Sequence, residues 1–470
     1  MDNFIKILFF IALARVGMAQ QTNILFQVSG LKNPNVVLGY YQGGKAYRLD
    51  SVQVDTSVGS FRLQKQGLRP GIYFCSNTNG KLFEFVLLYP ADTFAIQADL
   101  RRLDSIWSPD SKENETFFRF EQSRKAIESA FESKKAMRDM VAQATKNDAE
   151  SLKPFDEALQ LLLAQTDSLA LDFIQKNPNH LFAKMLQSVR PPEPPRQLKQ
   201  TLKNGKPNPE YGRWLRLHYW DNTDFNNEAL LGNSFWQIHF DDFFARYVAP
   251  RPDSIIQAID EVLAKTPRNG AFFQFIVLRI TQFYEQNEAP GADRIFVHMV
   301  DKFQKKTETP WLDAATLERL AYKADAHRPN LTGSLALNFT LPDETGKPVE
   351  LYEIQAPLTM LVFYSPLCSH CMELMPKIYQ VYLDYQVKGL AAVALNTDDQ
   401  SEYWKKFVAQ QNWIWYDVDD PKAMPQLEKQ YNAFNLPVIY LLDKDKKILA
   451  KRVKPGDLGE TLGIYFGKQK

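Results

Sequence analysis

Leu358-Thr359-Met360-Leu361-Val362-Phe363-Tyr364-Ser365-Pro366-Leu367-Cys368-Ser369-His370-Cys371 is the stretch on which the reading of this chain turns. Its first seven residues read as one apolar run, as expected of a strand buried on both faces. Residues 372–387 carry helical periodicity, so the two cysteines fall where a strand hands over to a helix. Cysteines at i and i+3 on a helical turn come within disulfide reach of each other. Unpaired amides and the helix dipole at that end favour an anion. Cys368 is therefore expected to be the exposed thiolate nucleophile and Cys371 the more buried resolving thiol. Zinc sites use the same spacing, but the chain has only three cysteines and no second pair to complete four ligands, so no metal is expected.

Outward from this stretch, strands and helices alternate. Residues 390–395 read as a second buried strand, and 401–410 and 424–434 as helices. Residues 438–443 and 447–453 read as strands paired across a turn at 443–446, and 458–466 as a closing helix. Such alternation argues for an α/β sheet with helices on both faces. The texture begins near Arg328-Pro329, so a domain is expected over 329–470.

This last third resembles the thioredoxin-like domains of bacterial periplasmic thiol–disulfide oxidoreductases. Gly333 and Phe339-Thr340-Leu341-Pro342-Asp343, with Gly346-Lys347 and Leu351, resemble the opening hairpin of that family. Pro376 matches the proline that kinks the helix bearing the cysteines. Leu436-Pro437 before Val438 resembles the family's cis-proline loop. The resemblance implies a redox centre at Cys368 and Cys371, no cofactor, and substrate binding at Pro437 and the backbone of Leu436. The chain departs from the family too. Leu367 stands where Trp is usual, and the two positions that carry a proton-accepting carboxylate in relatives fall on Val362 and Leu374. The acceptor for Cys371 is left to water or to Glu373, which on a helix points about 100° away from Leu374. His370 is expected to act with the pair. A cationic imidazole there would stabilise the Cys368 thiolate and raise the potential above that of thioredoxin, within a range of about −270 to about −120 mV among relatives.

The rest of the chain is expected to form two further domains. Residues 20–100 hold short β-branched and aromatic runs at 27–31, 36–41, 60–63, 72–75, 82–88 and 93–98, cut by Gly43-Gly44, Pro70-Gly71 and Asn79-Gly80. They read as an all-β sandwich. Residues 101–328 read as all-α. Phe117, Phe120, Ile127 and Phe131 share one helical face, and Ile255, Ile259, Val262 and Leu263 another. The fold class is thus multidomain: an N-terminal β sandwich, a central helical domain and a C-terminal thioredoxin-like α/β fold. A β domain and a helical domain ahead of a thioredoxin-like one is a recurrent layout in exported Gram-negative proteins. Lys6, the apolar residues 7–14 and Gly17-Met18-Ala19 read as a signal peptide over 1–19 cleaved after Ala19, which places the mature chain in the periplasm.

The balance of 56 basic and 55 acidic residues gives a net charge of +1, which argues against nucleic acid as a partner. No segment is long and apolar enough for a stable membrane span. Expected partners are proteins with disulfides or thiols and a redox partner protein. Cys75 reads as a core residue. The remaining histidines (180, 218, 239, 298 and 327) show no metal-ligand spacing, His239-Phe240-Asp241-Asp242 coming nearest. Two other functions compete with the oxidoreductase. A non-catalytic periplasmic scaffold would keep the cysteines as structure only. A peroxidase would want Ser365, which is present, but also a proline where Leu361 stands.

Overall fold

The structure is a computed structural model, and it describes residues 21–102, 105–198, 208–287, 289–303, 305 and 307–467. The expected signal peptide lies outside the described residues. The chain divides into two compact units, residues 1–248 and 249–470.

The first unit opens with strands β1 (Gln21–Ser29), β2 (Asn35–Gln42), β3 (Lys45–Gln53), β4 (Ser60–Gln66), β5 (Gly71–Asn77), β6 (Gly80–Leu87), β7 (Thr93–Asp99) and β8 (Ile106–Trp107). They make two four-stranded sheets, ordered β4-β1-β7-β8 and β3-β2-β5-β6. Alternate residues of β1 are buried, among them Ile24, Phe26 and Val28. Phe26 meets Phe85 of the other sheet edge-on at 5.4 Å between ring centroids, which closes the sandwich core. Two expectations need correction. The first strand spans Gln21–Ser29 rather than 27–31, and β3 was missed. β3 is exposed along almost its whole length, so no apolar alternation marks it.

Five helices follow: α1 (Lys112–Ala144), α2 (Ala149–Lys176), α3 (Leu181–Ser188), α4 (Pro209–His218) and α5 (Trp236–Tyr247). Ser111 caps α1 by accepting the Asn114 amide. The Asn114 side chain then pairs with the Val86 backbone at 2.7 and 2.9 Å, fixing the helix start to β6. Glu113 is buried beside it and accepts the Phe182 amide at 2.9 Å. Burial raises Glu113 to about 7 against the pull of the Phe182 and Leu181 amides. Near the Pro70-Gly71 turn the Ile72 amide donates to the Gly232 carbonyl at 2.6 Å. A side chain at Gly232 would bring its Cβ within 2.7 Å of Gly71 Cα, so this approach of two backbones needs glycine.

The second unit begins with α6 (Pro252–Ala264), α7 (Ala271–Glu285), α8 (Ala292–Phe303) and α9 (Ala314–His327). Ile259, Phe272, Ile276, Phe296 and Met299 are buried among them. A short hairpin, β9 (Thr340–Pro342) and β10 (Pro348–Glu350), leads to β11 (Leu358–Tyr364), α10 (Ser369–Gln386), β12 (Leu390–Asn396), α11 (Ser401–Gln411), β13 (Tyr416–Val418), α12 (Met424–Gln430), β14 (Val438–Asp443), β15 (Ile448–Lys451) and α13 (Leu458–Gly467). The sheet is five-stranded, ordered β13-β12-β11-β14-β15. β11, β12 and β13 run parallel, while β14 and β15 are antiparallel to their neighbours.

Every residue of β11 is buried, because both faces are covered. Leu361 and Phe363 join Met424, Leu427 and Tyr431 of the α12 segment on one face. Met360, Val362 and Tyr364 join α10, α11 and α13 on the other. α8 is tied to this sheet by a buried ion pair, Lys451 to Asp293 at 2.6 Å. Burial opposes the Asp293 charge, but the Lys451 ammonium and the Thr332 amide together hold Asp293 below the usual carboxylate range.

Candidate redox site

β11 delivers the chain to the turn at Ser365-Pro366, and α10 begins at Ser369. Cys368 takes the capping position with extended backbone, φ −86° and ψ 110°. Its Sγ accepts the Cys371 amide at 3.4 Å. A sulfur thus fills the role that an oxygen usually plays at a helix start, and it satisfies one of the amides left open there. The Cys368 amide donates to the Ser365 carbonyl at 3.2 Å, which holds the turn. Cys368 is half-buried and Cys371 fully buried, and both are free cysteines. Burial pushes the Cys371 thiol well above its ordinary value. The Cys368 sulfur and the Asp398 charge add to that rise, and the Ser365 amide opposes it.

The loop before β14 holds a cis peptide bond between Leu436 and Pro437. Phe363 pairs with Val438, so this loop lies at the same end of the sheet as the cysteine turn. Leu436 and Cys368 pack against the same apolar cluster beneath α10. His370 lies in the first turn of α10 and is exposed, as is Leu367 before the cysteines. The structure therefore gathers Cys368, Cys371 and the 436–437 loop at one sheet end, with His370 on the outer side of the helix start.

Glu373 does not serve Cys371. It is exposed and faces Lys377 at 3.3 Å. The carboxylate that the structure brings to the turn is Asp398, in the loop after β12, which accepts the Ser365 hydroxyl at 2.7 Å. Tyr364 pairs with Asn396 across β11 and β12, so residues just beyond the ends of these parallel strands become neighbours. The sequence carries that signal in Thr397-Asp398-Asp399, directly after a buried strand. A second acidic group was also missed. Asp417 is buried and accepts Tyr364 Oη at 3.1 Å and Trp415 Nε1 at 2.9 Å. Burial raises it to about 7, although both donors oppose the shift.

The histidines outside this site have local partners. His239 stacks on Tyr219 and its Nδ1 lies 3.0 Å from Tyr219 Oη, and burial lowers it to about 3. His298 lies 3.0 Å from Asp260, and His218 lies 2.6 Å from Asp221. Among the described residues no group of three or more His, Cys, Asp or Glu is placed to hold a metal ion. Among the same residues no helix is long and apolar enough to cross a membrane.

Two cysteines one turn apart at a strand-to-helix junction, faced by a cis-proline loop at the end of a mixed five-stranded sheet, define a thioredoxin-like domain. A thioredoxin-like family model matches residues 357–448, and a domain of unknown function, DUF5106, matches residues 192–330. Over 139 residues the chain is 32% identical to thiol-disulfide oxidoreductase ResA of Bacillus thuringiensis subsp. konkukian, which covers 29% of this chain and 77% of that relative. The ResA of Bacillus subtilis is 26% identical over 133 residues, with 28% and 70% covered. The chain belongs to the thioredoxin-like thiol–disulfide oxidoreductase family. Solved structures that it resembles include a thioredoxin-like protein from Bacteroides caccae, 19% identical, covering 58% of this chain and 98% of that one with a TM-score of 0.41. A domain of a possible thiol-disulfide isomerase from Cytophaga hutchinsonii is 33% identical, covering 30% and 97% with a TM-score of 0.27.

Proposed function

We propose that this chain is an exported, periplasmic thiol–disulfide oxidoreductase that acts on protein disulfides through Cys368-Ser369-His370-Cys371. The single observation that carries the reading is the Cys368 sulfur at the start of α10, half-exposed and bonded to the amide of a fully buried Cys371. Reduced Cys368 attacks a substrate disulfide, and one substrate sulfur leaves as a thiolate. Cys371 then attacks Cys368 Sγ in the mixed disulfide, the second substrate sulfur leaves, and the enzyme pair is left oxidised. A redox partner protein must return two electrons to the pair. In the oxidising direction the same steps run backwards. His370 sits beside the nucleophile on the first turn, where a positive charge favours the Cys368 thiolate. The cis-proline loop at Leu436-Pro437 supplies backbone for an extended substrate segment. The leader-like residues 1–19 support export.

The test combines a redox titration of the purified chain with a Cys371→Ser trap. The pair should titrate as one two-electron couple, and the trap should hold substrate proteins as mixed disulfides on Cys368. A chain with no titratable couple, whose trap captures nothing, is a scaffold rather than an enzyme.

A further inference from the structure

Resolution of the mixed disulfide needs a proton acceptor. Cys371 is fully buried, and burial holds its thiol well above the ordinary value, yet only its thiolate can attack. Val362 and Leu374 offer no acid, and Glu373 faces Lys377 in solvent. Asp398 is placed differently. Its Oδ2 accepts Ser365 Oγ at 2.7 Å and lies 3.4 Å from the Leu367 amide, so the carboxylate sits over the turn that leads into Cys368. Ser365 Oγ itself accepts the Leu367 amide at 3.1 Å. The Asp398 backbone is fixed by Asn396, whose Oδ1 accepts the Asp398 amide at 3.2 Å and whose Nδ2 donates to the Asp398 carbonyl at 3.1 Å.

We infer that Asp398, oriented by Ser365, accepts the Cys371 proton when the mixed disulfide is resolved. This rests on the redox reading proposed above. In the step, the Cys371 S–H proton passes to the Asp398 carboxylate. The Cys371 sulfur forms its bond to Cys368 Sγ as the bond from Cys368 to the substrate sulfur breaks. The substrate sulfur leaves with the electron pair and is protonated from Asp398 or solvent. The substrate disulfide is reduced by two electrons and the Cys368–Cys371 pair is oxidised. Asp398 has a second acidic neighbour, Glu428 of α12, which burial and the Asp398 charge together hold above the usual carboxylate range. Other titratable groups on this side are Cys371 of α10, Cys368 at its cap, Glu428 of α12, Asp399 next in the chain, and Asp419, which accepts the same Asn396 Nδ2 at 2.9 Å.

The experiment follows the reduced full chain against the symmetric disulfide of thionitrobenzoate. Attack by Cys368 releases one thionitrobenzoate, and attack by Cys371 releases the second. In Asp398→Asn an unchanged far-UV circular dichroism spectrum reports an intact fold, and the second release is read relative to the first. The second should slow about a hundredfold or more near neutral pH, the lower end of what a positioned base contributes. Its rate should then climb steadily with pH, where the wild type levels off. Ser365→Ala should slow the second release less and keep the levelling-off, as should Glu428→Gln, because Asp398 remains. A second release in Asp398→Asn with wild-type rate and pH profile overturns the inference while leaving the redox reading intact. A wild-type chain that releases only one equivalent overturns the redox reading, and the inference with it.

Discussion

Cys75 and Cys371 are both fully buried, and burial raises both thiols, Cys75 to about 12. Their surroundings differ in every other respect. Cys75 lies mid-strand in β5, opposite Leu38 of β2 and Phe83 of β6, and burial alone accounts for its shift. Cys371 lies in the first turn of a helix, with the Cys368 sulfur on its amide and the Asp398 charge nearby. Burial therefore makes a thiol inert by itself. A second sulfur one turn away, held where the helix leaves its amides open, is what gives a buried thiol chemistry to do.

The largest effect should come from exchanging the reactive sulfurs. Cys368→Ser should drop insulin-disulfide reduction to the uncatalysed background, while Cys75→Ala should stay within about twofold of wild type, as a residue that takes no part in the exchange would. A Cys75→Ala chain as inactive as Cys368→Ser would break the comparison. Stability should sort the two cysteines the other way. Cys75→Ser buries a hydroxyl in an apolar sandwich and should cost about 1–3 kcal/mol in denaturant unfolding. A cost within the usual surface scatter of about 0.5 kcal/mol would show that the site is not the tight core described here.

The pH dependence sharpens the same point. Cys75 is raised from an ordinary 9.0 to about 12 in the folded chain, so above pH 9 the unfolded chain loses this proton first. The contribution is whole below pH 9 and is lost as pH rises toward 12. Its slope reaches about 1.4 kcal/mol per pH unit for one thiol. Cys75→Val should flatten the alkaline fall in unfolding free energy by about that slope, and an unchanged slope would refute the assignment. The smallest effect belongs to His370. An imidazolium beside the Cys368 thiolate acts as an exposed ion pair worth about 0.2–1 kcal/mol, so His370→Leu should lower the potential by about 4–20 mV. No movement beyond the error of a glutathione titration would leave His370 as a bystander.

The two halves of the molecule were not equally legible. In the thioredoxin-like part, β11 announced itself because a strand covered on both faces carries no polar alternation. The cysteine pair and the Leu436-Pro437 loop were readable for a different reason: their chemistry depends on local spacing and on one proline. In the sandwich, β3 escaped because an exposed edge strand has nothing apolar to repeat. Asp398 escaped because its partner Ser365 is 33 residues away, and only the parallel pairing of β11 with β12 joins them. The ion pair between Asp293 and Lys451 was hidden in the same way, since each residue alone looks like an ordinary surface charge.

Sequence alone determined the order of β, helical and α/β segments, the site of the cysteine pair, and Cys75 as a core residue. These depend on periodicity, composition and contacts within one turn, all of which are written in neighbouring letters. Tertiary structure decided which acid lies beside the cysteine turn and which helix is tied to the sheet. Those are matters of distance between residues far apart in the chain, and distance becomes definite only when the strands have paired and the helices have packed.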